Sequence, residues 1–144
     1  NILELNNLGE LLPWMPLTIK TLFVNSATIE VLLDISDREG DKQSGINTLP
    51  VILGPNNTIS GHIAFLTLSY FDSIWDTIWG QPKPMIHLCA MSALIITYLP
   101  LFTGLIDVKK SRFSKLVIKQ TIQNTTINLL IYTIIAGFAK WLLC

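Results

Sequence analysis

The stretch that decides the fold runs from Ile86 to Ile106, IHLCAMSALIITYLPLFTGLI, and contains no Asp, Glu, Lys or Arg. A helix that crosses a hydrocarbon core needs about 20 predominantly apolar residues, and this run supplies them. Toward the C-terminus, Ile127 to Cys144 (INLLIYTIIAGFAKWLLC) is nearly as pure. Its one charge, Lys140, lies near the end, where a long side chain can snorkel to the interface. Toward the N-terminus, Ser60 to Trp79 carries Asp72 and Asp76 in its last half, beside Trp75 and Trp79, the place of an interfacial aromatic belt. Leu17 to Leu33 is the fourth candidate. Lys20, Asn25 and Glu30 make it the poorest by hydropathy, yet polar groups inside a spanning helix are functional suspects. The pattern predicts an all-α transmembrane helical bundle with about four spanning helices, over about 14–36, 60–79, 86–106 and 124–143. A strand over 63–71 is disfavoured, because both alternating sides are mostly apolar.

Composition agrees. Half of the 144 residues are apolar and 14% are charged, against roughly 25% charge in a typical soluble domain, and mean hydropathy is +0.50. Ten basic and ten acidic residues give zero net charge, which excludes a nucleic-acid binder of the usual basic kind. So much apolar content excludes disorder. Cys89 and Cys144 cannot form a disulfide framework or a zinc site. A chain opening at Asn1 rather than Met is expected of a processed product or a piece of something longer.

Charge placement orients the bundle. Lys109, Lys110, Arg112, Lys115 and Lys119 cluster between the last two apolar runs, and Arg38 and Lys42 follow the first helix. Two helices separate these segments, so both face one side, and the positive-inside rule makes that side cytosolic or its equivalent in an organelle. The opposite turn holds only Lys83. Gly54-Pro55-Asn56-Asn57 reads as a turn cluster, and Pro100 predicts a kink. His62 and His87 read as interface histidines, and Asp72 and Asp76 as interface or bundle residues.

The chemistry concentrates in Glu30 to Gly54, EVLLDISDREGDKQSGINTLPVILG. Asp34, Asp37 and Asp41 are spaced i, i+3 and i+7, so a helix continuing through them projects all three carboxylates from one face. Like charges that close repel, and a hard cation among them removes the repulsion. Mg2+ takes one or two carboxylates and leaves its other positions to water and phosphate oxygens. Lys42 and Arg38 stand beside the acids, able to meet phosphate directly. Asn25 and Glu30, polar groups inside the first helix, and the aromatic residues Phe23, Phe65, Tyr70 and Tyr98 are further candidates.

The run from Asp34 to Gly54 resembles the second aspartate-rich motif of the UbiA superfamily of intramembrane prenyltransferases. The family pattern, D-[IV]-x-D-x-E-G-D-[RK]-x-x-G-x-x-T-L-P-V-x-x-G, is matched without a gap, and Glu30 holds the place of a frequent family glutamate. The resemblance implies Mg2+-dependent transfer of an isoprenoid chain from an allylic prenyl diphosphate to a lipophilic or aromatic acceptor within the membrane. It implies Asp37 and Asp41 as catalytic metal ligands, Asp34 as a third ligand or its support, and Lys42, Arg38, Asn25 and Glu30 as substrate-binding residues. Family members have nine transmembrane helices with this motif in a cytosolic loop after the sixth. Residues 1–144 are thus expected to be the C-terminal portion of such a domain, helices six to nine, with the N-terminal helices as partner. The first family motif, NDxxDxxxD, is absent upstream of Asp34, so the portion alone is expected to be inactive. Two alternatives stand beside this reading: a non-catalytic membrane accessory subunit, and a soluble α+β binding domain.

Overall fold

The computed structural model describes residues 14–80 and 84–143, with side chains described at 19–75, 78–79, 91–92 and 94–134. The order is α1 (Trp14–Gln43), α2 (Leu49–Leu53), α3 (Pro55–Gly80), α4 (Pro84–Lys110) and α5 (Lys115–Leu143). No strand occurs among the described residues, so the fold is all-α and the α+β alternative falls. Each long helix packs on two others, α1 and α4 both lying against α3 and α5, while α1 and α4 touch sparingly across the diagonal. Short connections reverse the chain each time, as in an up-and-down bundle. The end of α1, the start of α3, the end of α4 and the start of α5 therefore share one end of the bundle.

α4 supplies the spine of the core. Leu94, Tyr98, Leu101, Leu105 and Val108 recur at alternating steps of four and three and are all buried, the spacing that keeps one stripe of a helix turned inward. They meet Val24, Leu32 and Ile35 of α1, Ile59 and Leu66 of α3, and Ile118 of α5. α4 and α5 approach so closely at Gly104 that an added Cβ would lie 2.7 Å from Thr121 Cγ2.

Polar side chains share this interior. Thr21, Asn25, Thr28, His62, Ser73, Thr97, Thr121 and Thr125 are buried, while Leu22, Phe23, Leu68, Phe71, Trp75, Trp79, Leu99, Leu130 and Ile134 are exposed. Several of the hydroxyls satisfy themselves on their own helix: Thr28 donates to the Val24 carbonyl at 2.7 Å and Thr125 to Thr121 at 2.8 Å. Such bonding back to the preceding turn lets a threonine enter an apolar contact at small cost.

Four boundaries differ from expectation. α1 continues to Gln43 rather than stopping near 36, so the acidic motif is helical and not a loop. α3 begins at Pro55 inside the expected turn cluster, because a proline at the first helical position forfeits no hydrogen bond. α5 begins at Lys115, nine residues before the expected 124, and most of the basic segment is helix. α4 runs through Pro100 from 84 to 110. Among the described residues, no helix is long and apolar enough to cross a membrane. The apolar runs of 86–106 and 127–144 both extend into positions outside the described side chains, as do His87, Cys89, Asp76, Lys140 and Cys144.

Candidate functional site

Because α1 is unbroken to Gln43, Glu30, Asp34, Asp37 and Asp41 fall on one arc of its last four turns. Asp34 is half-buried, with Glu30 and Asp41 one and two turns away on the same arc. Asp37 leans toward Gly40, where a Cβ would stand 3.0 Å from Oδ1. A side chain at 40 would press on that carboxylate and make it give by a few tenths of an ångström. Asp41 accepts a hydrogen bond from Thr48 Oγ1 at 3.1 Å.

The remaining motif residues build the turn that holds these acids. Ile46 N–H donates to the Asp41 carbonyl at 2.9 Å and Gly45 N–H to the Lys42 carbonyl at 3.4 Å, with Gly45 at φ +72°. This pair of bonds is the Schellman stop, and its left-handed position suits glycine. Thr48 then starts α2, and Pro50 is buried near the start of that helix.

The substrate-binding candidates separate. Lys42 is exposed at the rim and Glu30 is exposed one turn below Asp34. Arg38 Nη1 pairs with Glu39 Oε1 at 3.3 Å, while its Nε is buried without a partner. Asn25 does not join them. It lies nine residues before Asp34, about 14 Å along the helix, fully buried, with Nδ2 donating to the Thr21 carbonyl at 2.8 Å and Oδ1 unpartnered. His62 is not an interface residue: it is buried and hydrogen-bonded to Thr28 Oγ1 at 2.9 Å. Asp72 pairs with Lys20 at 2.6 Å and ties α3 to α1 far from the acidic arc. Of the aromatic candidates, Phe23 meets Phe65 edge-on at 6.3 Å and Tyr70 meets Tyr98 at 5.1 Å.

A cleft of about 270 Å³ opens beside the arc, lined by Asp37, Arg38, Gly40, Arg112, Phe113 and Lys115 among others. Arg112 and Phe113 come from the α4–α5 connection and Lys115 from the start of α5, and none was among the sequence candidates for the site. Their only sequence signal is a basic cluster, which speaks to orientation as readily as to binding. Among the described residues, no group of three or more His, Cys, Asp or Glu is arranged to hold a metal ion; the three aspartates share a face without converging.

Two curated proteins match the chain. It is 32% identical over 103 residues to 2-acyl-4-prenylphloroglucinol 6-prenyltransferase, chloroplastic, of Humulus lupulus, covering 69% of this chain and 25% of that protein. It is 31% identical over 87 residues to homogentisate phytyltransferase of Synechocystis sp., covering 55% of this chain and 28% of that protein. The chain spans about a quarter of the length of these relatives. No family model and no solved structure matches it. The two matches, both to prenyltransferases, support the resemblance to the UbiA superfamily that the Asp34–Gly54 run carries.

Proposed function

We propose that residues 1–144 are the C-terminal portion of a UbiA-type prenyltransferase domain and contribute one half of a Mg2+–diphosphate site. The observation that carries this is the arc of Asp34, Asp37 and Asp41 on one helical face, bordered by Arg38 and Lys42. The reaction joins a prenyl group to a lipophilic or aromatic acceptor. The allylic carbon–oxygen bond breaks with its electron pair going to pyrophosphate, a bond to the acceptor forms, and the acceptor loses a proton.

In chemistry, though not in convergence, the donor set suits a magnesium ion: carboxylate oxygens on one helical face. Carboxylates gathered on one face repel one another, a repulsion that a divalent cation relieves, and Gly40 leaves room for the Asp37 carboxylate. Asp37 and Asp41 would hold the ion, with Asp34 as third ligand or support. Bound there, the ion neutralises charge on the leaving pyrophosphate. Two carboxylates per ion suffice when phosphate and water complete the shell. Thr48, by its bond to Asp41, fixes that carboxylate, and Arg38 and Lys42 offer positive donors to phosphate oxygens.

The bundle is read as membrane-embedded, with the acidic end on the cytosolic or equivalent side. Its supports are the inversion of pattern, polar groups inside and large apolar side chains outside, together with the basic residues gathered at the acidic end. An exposed apolar surface of this extent marks lipid or partner contact, and here the partners are lipid and the preceding helices of the same domain. The test is transfer from a prenyl diphosphate to an aromatic acceptor by the intact protein. Asp37→Asn and Asp41→Asn should each abolish it, and unchanged turnover in either would refute the assignment.

A further inference from the structure

The cleft beside Asp37 carries positive charge from two distant segments, Arg38 on α1 and, after α4, Arg112 in the connection and Lys115 at the start of α5. We propose that Arg112 and Lys115, together with Arg38, bind the pyrophosphate end of the substrate and retain it after the carbon–oxygen bond breaks, an assignment that rests on the diphosphate reading above. Four observations support it. First, Arg38 lines the cleft together with Arg112 and Lys115, so cationic side chains from two parts of the chain border one space. Second, among the described residues neither Arg112 nor Lys115 forms an ion pair, so their charges are uncommitted. Third, Lys115 opens α5, and the free N–H groups of a helix's first turn add positive potential there. Fourth, the cleft's volume of about 270 Å³ sits just under the usual range of small-molecule pockets, suited to a small anion rather than a whole prenyl chain.

The backbone agrees. Arg112 is at φ +54° and Phe113 at φ +65°, left-handed values that side chains rarely adopt. Phe113 packs against the core and so fixes the backbone from which Arg112 projects. An arginine kept where glycine would relax the chain is strain held at a place of use.

The test is calorimetric titration of the intact protein in phosphatidylcholine nanodiscs with inorganic pyrophosphate and Mg2+. Wild type should bind, and Arg112→Gly with Lys115→Gln should weaken binding roughly tenfold or more. The melting temperature should not fall, because glycine relieves the left-handed turn. Lys115→Gln alone, at an exposed helix start, leaves backbone preference alone and should show part of the same loss. Equal affinity in wild type and both variants overturns the proposal while leaving the diphosphate reading intact. Absence of Mg2+-dependent binding in wild type overturns that reading as well. A wild-type affinity suppressed by phosphatidylglycerol in the nanodisc, with suppression gone in the double variant, would assign the cleft to a lipid headgroup instead.

Discussion

α1 and α4 stop at the same end of the bundle with the same pair of hydrogen bonds, yet with different residues where the chain turns left-handed. In α1 the turn residue is Gly45 at φ +72°, followed by Ile46, which is exposed. In α4 it is Arg112 at φ +54°, followed by Phe113, with Phe113 N–H on the Val108 carbonyl at 3.0 Å and Arg112 N–H on Lys109 at 3.2 Å. A Schellman stop is commonly secured by a hydrophobic contact back to the helix. α1 has Asp41 at the facing position and can make no such contact, so its stop depends on glycine. α4 has Val108 there and Phe113 packed on the core, which lets it tolerate a strained arginine. One stop is chosen for conformation and the other for what its side chain presents.

Removing what each stop presents should break the comparison most sharply. Asp37→Asn or Asp41→Asn, at the end of α1, should lower prenyl-transfer turnover on the order of 100-fold or more, measured by product formation at saturating prenyl diphosphate. Phe113→Ala should then show what secures the α4 stop. A half-buried phenylalanine contributes roughly 2 kcal/mol, read as a loss in denaturant unfolding of the detergent-solubilised protein. Gly45→Val should cost about 1–2 kcal/mol in the same assay, the penalty of a left-handed side-chain residue. Arg112→Gly should move the other way, stabilising by about 1 kcal/mol or less. A loss of stability in Arg112→Gly would mean the arginine is structural and the contrast between the stops is false.

The shared face of the acids was legible from their spacing, i, i+3 and i+7, but only on condition that the helix continued past the expected end near 36; the Gly-x-x-Thr-Leu-Pro run after it is turn chemistry. The all-helical class followed from apolar runs too long for strands. Helix ends were harder. Pro55 and Lys115 carry signals that read equally as loop, and only tertiary contact decides between them. The polar interior was hidden for another reason. Thr21, Asn25 and Thr28 lower the hydropathy of α1, and nothing local says that they turn inward or that His62 will meet Thr28. Arg112 was beyond reach altogether, since a helix stop without glycine leaves no mark in the sequence.

The most direct measurement of the central claim is Mn2+ electron paramagnetic resonance of the intact protein with pyrophosphate, manganese standing in for magnesium. The wild type should remove the free six-line signal stoichiometrically, and Asp34→Asn/Asp37→Asn/Asp41→Asn should leave it in solution. Equal capture of manganese by both proteins would contradict the assignment of this acidic arc as a metal–diphosphate grip.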